Sequence, residues 1–270
     1  TGETSNDIDD DLRTSGSKSA IGHFDPGEGN GEYVYFNTDA QRQLTNGRGY
    51  LVSPSASGNI DITGTMSYTD VSYTLEDESG TYGHWNLIGN PFPSYLNMTD
   101  DSADADNNFL TVNTASLHGT YSGVYAWDGS QFVLYNQTSD DINYIAPGEG
   151  FFVASADGGA NVTFTEDMQT SARGLNFNAQ NVARGGTSKS NKRVSILELE
   201  LSDSANKQRD FTKLYFSNED KLTKGLDPGY DGGKFYLGTD KSSIFTRLLE
   251  EDEGIDIQIQ AIPYSEINEL

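Results

Sequence analysis

Apolar and polar residues alternate along much of this chain with the period of two that a half-buried strand requires. Ile60, Ile62, Met66 and Tyr68 alternate with Asp61, Thr63, Thr65 and Ser67, and Val71, Tyr73 and Leu75 alternate with Ser72, Thr74 and Glu76. With Thr69-Asp70 between them, the two runs predict a hairpin. A second hairpin is marked by Val124 to Trp127, the turn Asp128-Gly129, and Phe132 to Tyr135. Further strands are predicted at Val194 to Leu201, Phe211 to Phe216, Lys234 to Leu237 and Ile255 to Ala261. Two stretches break the alternation. Leu87-Ile88 and Phe151-Phe152-Val153 are apolar on consecutive residues, as suits buried strands. Gly89-Asn90-Pro91 ends the first, because Pro91 has no N–H and biases Asn90 away from the helical region. Pro147-Gly148 makes the turn before the second. No long amphipathic helix is predicted, only a turn or two near Asp39 to Leu44.

Many strands separated by Gly, Pro and Asn turns indicate an all-β fold, an antiparallel, jelly-roll-like β-sandwich, with two sandwiches in tandem. Residues 1–19 are polar, with Asp7, Asp9, Asp10 and Asp11 clustered, and read as a linker or frayed end. Residues 20–180 form the first sandwich. Gly185-Gly186 and the polar run after it mark 181–192 as a linker or loop, and 193–270 form a second, smaller sandwich.

Composition narrows the chemistry. The chain has 270 residues, 41 acidic against 17 basic side chains, a net charge of −24 and no cysteine. So acidic a surface disfavours nucleic-acid backbones as partners. The lack of cysteine removes disulfides, thiolate nucleophiles and zinc-thiolate sites. No run of 18 apolar residues exists to insert in a membrane. The chain begins at Thr1 with no signal-peptide pattern, and so reads as a processed form or an excised fragment.

Trp85-Asn-Leu-Ile-Gly-Asn-Pro-Phe-Pro-Ser94 and Tyr144-Ile-Ala-Pro-Gly-Glu-Gly-Phe-Phe-Val153 together resemble a motif pair of Bacteroidetes surface and secreted proteins exported by the type IX secretion system. That pattern reads Gly-Trp-Asn-Leu-Ile-Gly-Asn-Pro-Tyr-Pro-Ser and Pro-Gly-Gln-Gly-Phe-Phe-Val. Here His84 stands where glycine is usual, Phe92 replaces Tyr and Glu149 replaces Gln. Gly47-Arg48-Gly49-Tyr50 and Gly225-Leu226-Asp227-Pro228-Gly229-Tyr230-Asp231 add to the match, which covers roughly residues 45–260. The resemblance implies an extracellular or cell-surface location, on the outer face of the outer membrane. It also implies a signal peptide before this region, a sorting domain after it, and other domains of the same polypeptide as neighbours.

Candidate sites are few. Asp100, Asp101, Asp104, Asp106, Asn107 and Asn108 are the densest run of oxygen ligands, of the kind a calcium ion takes from a loop, though without the EF-hand spacing. The alternative is a solvated acidic loop. Asp227 and Asp231 in Asp-Pro-Gly-Tyr-Asp-Gly-Gly are a second calcium candidate, or else a turn whose carboxylates cap backbone N–H groups. Sugar binding asks for an aromatic face beside hydrogen-bonding side chains. Tyr125, Trp127 and Asp128, with Tyr135 and Asn136 across the hairpin, offer that, as do Tyr50, Tyr82 and His84; the alternative for each is core packing, and Trp85 reads as a packing residue. His23, His84 and His118 show no metal-binding spacing. There is no Gly-x-Ser-x-Gly elbow. Asp101-Ser102-Ala103 and Asp203-Ser204-Ala205 resemble a short O-glycosylation acceptor motif of Bacteroidetes.

The expectation is therefore a non-catalytic extracellular β-sandwich region, acting in adhesion, glycan contact or as a spacer. One alternative is a polysaccharide-binding accessory module of a secreted hydrolase. Another is a glycoside hydrolase working through paired carboxylates.

Overall fold

The two unalternating stretches are neighbours in space. In the computed structural model, Trp85–Gly89 and Gly150–Ala154 pair antiparallel, with Ile88 opposite Phe151 and Leu87 opposite Phe152. The structure describes residues 3–5, 12–29, 31–38, 42–56, 62, 65–100, 104–129, 131–138, 144–172, 177, 194–202, 209–219, 221–236 and 243–269. A four-stranded sheet forms around the pair, in the order Phe132–Tyr135, Val124–Trp127, Gly150–Ala154, Trp85–Gly89.

This central sheet is buried on both faces, which is why its strands are apolar on consecutive residues. Ile88, Phe151, Val153, Val124 and Ala126 point to one side, where they meet Leu75, Val162, Phe164, Phe109 and Met98. The sheet covering that side pairs Val71–Leu75 with Ala160–Phe164. Trp85, Tyr125, Leu134, Phe152 and Ala154 point to the other side. There they meet Phe24 from the N-terminal part and Tyr215, Phe235 and Ile259 from the C-terminal part. The Trp85 and Phe235 rings stack with centroids 3.9 Å apart, and the Tyr125 hydroxyl donates to the Gly233 carbonyl at 2.7 Å. A Cβ on Gly232 or Gly233 would lie 2.1 Å from Leu134 Cδ2 or 2.5 Å from Tyr121 Cε1, so this close approach requires glycine. In place of a second self-contained sandwich from residue 193 onward, the C-terminal strands complete a core begun by the first part.

Those strands form a four-stranded sheet in the order Val194–Ser202, Arg209–Ser217, Ile257–Pro263, Gly232–Gly233. Arg209–Ser217 and Ile257–Pro263 run parallel, whereas the other strand pairs among the described residues are antiparallel. Lys18–Asp25 pairs with Glu32–Asn37, Thr14–Ser15 and Leu51–Val52. The fold is all-β and sandwich-like. Among the described residues the one α-helix is Phe109–Val112, and no helix is long and apolar enough to cross a membrane.

Three local expectations need correction. Val71–Leu75 is a strand, but its partner is Ala160–Phe164, and Met66 and Tyr68 are exposed outside any strand. Residues 12–19 are part of the fold, since Leu12 is buried and bridges to Pro54, and Thr14–Ser15 pairs with Lys18–Ser19. Arg42–Leu44 is a strand paired with Glu3–Ser5, not a helical turn. The 181–192 segment and both Asp-Ser-Ala tripeptides lie outside the described residues.

Candidate functional site

The hairpin nominated for sugar contact forms as predicted, with Val124 opposite Tyr135 and Trp127 opposite Phe132. Its side chains divide sharply. Tyr125 is wholly buried in the shared core, and burial pushes its phenol pKa well above the ordinary value. Asn136 is also wholly buried; its Nδ2 donates to the Tyr230 carbonyl, and its Oδ1 accepts from the Thr138 N–H and hydroxyl. Tyr135 is half-buried against Phe177. These three are packing and bracing residues, so Tyr125 and Asn136 are corrected as ligand contacts. Trp127 is different, being 45% exposed at the hairpin end and edge-on to Phe132. Asp128 beside it accepts from the Gln131 N–H and so shapes the turn.

One of the two calcium candidates resolves into turn chemistry. Asp231 is fully buried, with one oxygen accepting from the Ala261 N–H and the other from the Asp227 N–H, both at 2.7 Å. Asp227 accepts from the N–H and hydroxyl of Thr223. Both carboxylates therefore brace the Asp227–Asp231 turn instead of facing a common ion, which corrects the calcium reading there. Desolvation raises the Asp231 pKa to about 7, against the lowering effect of its two backbone hydrogen bonds. Asp104 accepts from the N–H groups of Asp106 and Asn107 and from the Asn107 side chain, which together hold its pKa below the usual value. The Asp100 N–H donates to Gln137, Asp106 is exposed, and Asp101 lies outside the described residues.

The recognised motifs are joints. Asn90 is buried; its Nδ2 donates to the carbonyls of Ser94, Ile145 and Ala146, and its Oδ1 accepts from the Phe92 N–H. One side chain thus clamps the first motif to the second. Glu149 accepts from the N–H groups of Ala146 and Phe177, and burial raises its pKa. Gly47-Arg48-Gly49 runs along the free edge of Trp85–Gly89: the Gly49 N–H donates to the Leu87 carbonyl and the Gly89 N–H to the Gly47 carbonyl. A Cβ on Gly49 would lie 2.6 Å from the Ile88 oxygen. A fourth stretch supplies the turn braced by Asp227 and Asp231.

One cluster escaped the sequence reading. His84, at the start of the central edge strand, and His118, in the connection before Val124, come together with ring centroids 4.9 Å apart. Backbone contacts set them there: the His118 N–H donates to the Ala154 carbonyl, and the Ser155 N–H donates to the His84 carbonyl. Asp157 joins them, its Oδ1 3.9 Å from His118 Nε2. Asp77 Oδ1 lies 2.6 Å from His84 Nδ1, an approach that misses hydrogen-bond alignment at the ring nitrogen and needs a small rotation to become a linear bond. His118 Nδ1 accepts from the Thr120 N–H at 3.2 Å. Desolvation, then the proximity of His84, lowers the His118 pKa, which keeps the ring neutral at physiological pH. The two histidines are far apart in sequence, with no metal-binding spacing between them; His84 stood out only as a sugar-contact candidate and as a departure from the glycine usual in the motif. His23 stands elsewhere, edge-on to Phe36.

This fold and these residues define an all-β, sandwich-like domain held together by its motif residues. The chain belongs to the family described as a domain of unknown function, DUF8693, whose profile matches residues 11–270. No curated protein and no solved structure matches the chain.

Proposed function

We propose that the chain is a non-catalytic, extracellular β-rich region of a larger bacterial surface or secreted protein. It serves as a rigid spacer and adhesive scaffold between other domains of the same polypeptide. The observation that carries this reading is the use to which the motif residues are put. Asn90, Glu149, Gly49, Asp227 and Asp231 all hold backbone to backbone. A central sheet buried on both faces resists bending and shear, which suits a spacer, and recognition is then left to exposed loops. The motif resemblance supports the surface location and export by the type IX route.

Glycan contact, within this reading, falls to the Trp127 hairpin end, where an exposed indole adjoins Asp128. The test is a glycan array probed with the purified chain, with calcium and with chelator, alongside Trp127→Ala. Binding that survives chelator and disappears in Trp127→Ala supports an adhesive aromatic platform. No binding in any condition leaves spacing as the function. Release of reducing sugar from any polysaccharide on incubation overturns the non-catalytic reading.

A further inference from the structure

We propose that His84, His118 and Asp157 form a surface site for one divalent transition-metal ion of the zinc type. Each offers a ligand atom, and these atoms all lie within 4.8 Å of one another. Zinc bonds to imidazole nitrogen and carboxylate oxygen are about 2.0–2.2 Å long, so tetrahedral ligands sit about 3.3 Å apart. The cluster must contract by about 1 Å or more to reach that spacing. Asp157 can supply most of the movement, because its side chain is 90% exposed. Two nitrogens and one oxygen suit zinc, nickel or copper and are poor company for calcium or magnesium, which take oxygen sets. A fourth position is left to water.

The surroundings fit a metal ligand set better than a chance meeting of side chains. Asp77 Oδ1 stands beside His84 Nδ1, and a ring rotation that aligns the two would leave Nε2 as the lone-pair donor, the carboxylate–imidazole arrangement that orients ligating histidines. The same Asp77 carboxylate accepts from the Gly158 N–H, and so also holds the turn that carries Asp157. The Gly159 N–H closes that turn onto the Ala156 carbonyl. All three ligands therefore hang from one end of the central sheet. A net charge of −24 draws cations to the surface.

One contact works against loading. Because His118 Nδ1 accepts from the Thr120 N–H, the neutral ring carries its proton on Nε2, facing Asp157. Metal at Nε2 displaces that proton; Nδ1 takes one from solvent, and the 3.2 Å contact with Thr120 opens. No net proton is released at His118. The lost hydrogen bond makes this a weaker site than a closed structural zinc centre.

The test is calorimetric titration of zinc chloride into the full chain, free of affinity tag and stripped with chelator. The expected result is one zinc per chain, with affinity reduced at least about tenfold in His84→Ala and in His118→Ala, and about 10–100-fold in Asp77→Asn. Calcium and magnesium in excess should not compete. His84→Gln and His118→Gln, with thermal melts of every variant, separate loss of ligand from loss of fold. In proton NMR the imidazole signals of His84 and His118 should move together on zinc addition while those of His23 stay. Zinc uptake unchanged in the His84→Ala, His118→Ala double variant overturns the proposal, as do calcium competition or unmoved imidazole signals. The scaffold reading stands in either case.

Discussion

Two strand pairs in this molecule have similar ladders and opposite surroundings. Trp85–Gly89 with Gly150–Ala154 lies at the centre, and Ile88, Phe151, Phe152 and Val153 are all buried. Val194–Ser202 with Arg209–Ser217 is longer, nine residues on each strand. Yet in its outer strand Ile196, Leu197, Leu199 and Leu201 are 37–47% exposed, on both faces of the sheet. Backbone pairing therefore does not measure a strand's contribution to the core. What separates the two pairs is what lies above and below the sheet, and only the first is covered by both parts of the chain.

The strongest way to break this comparison is to remove the ring that joins the parts. Trp85→Ala takes away an indole stacked on Phe235 and edge-on to Tyr125, and should destabilise the chain by about 3–5 kcal/mol in guanidinium melts. Phe235→Ala should approach the same value from the C-terminal side, and the double variant should fall short of the sum by about 0.5–3 kcal/mol. Two independent transitions on denaturation, with strict additivity, would instead mean that the parts fold separately.

Asn90→Ala probes the joint between the motifs. It leaves the Ser94, Ile145 and Ala146 carbonyls and the Phe92 N–H without this partner in a mostly buried setting. The expected loss is about 2–3 kcal/mol, since a buried group left unpaired bears its full desolvation cost. A loss under about 0.5 kcal/mol would show that water replaces the amide there and that the clamp is dispensable.

Local signals in the sequence reached local structure and stopped there. The hairpin of Val124–Trp127 and Phe132–Tyr135 was legible because its turn and both strands are contiguous. Trp85 was legible as core because of the apolar residues beside it. The partner of Val71–Leu75 was not, because that strand pairs with Ala160–Phe164 only after all four strands of the central sheet have intervened, and nothing in either segment names the other. Tyr125 and Asn136 looked like a binding face because alternation tells inward from outward only when one face of a sheet is wet, and here both are dry. The histidine cluster was hidden for the same reason as the strand pairing, since its members meet only through the ends of separate strands.

Asp231 sharpens the comparison from inside the C-terminal sheet. Its folded pKa, about 7, lies above its unfolded value near 3.8, with burial as the main cause. A raised pKa means that ionisation opposes folding. The favourable contribution is therefore complete below the ordinary carboxylate range and is lost as pH rises to and through 7. Asp231→Asn cannot ionise, and it turns a donor NH2 toward one of the two backbone N–H groups, where even the protonated acid keeps an oxygen lone pair. The variant should be less stable than the parent at pH 5, and the gap should narrow by about 1 kcal/mol or more by pH 8. Paired guanidinium melts at the two pH values measure it. A gap that widens with pH would reverse the sign and place the ionised carboxylate among the stabilising groups of the turn.

Leu199→Ala should have the smallest effect, and it tests the outer strand directly. Leu199 is 41% exposed and faces Thr212 across the ladder, so truncation removes little buried area and opens no enclosed cavity. The expected change is within about 0.5 kcal/mol, the usual range for surface positions. A loss above about 1 kcal/mol would mean that this face is covered in solution. In that event the parent's melting temperature should rise with protein concentration, because association stabilises the folded state by mass action. The outer pair would then resemble the central one, differing only in that another molecule supplies its second layer.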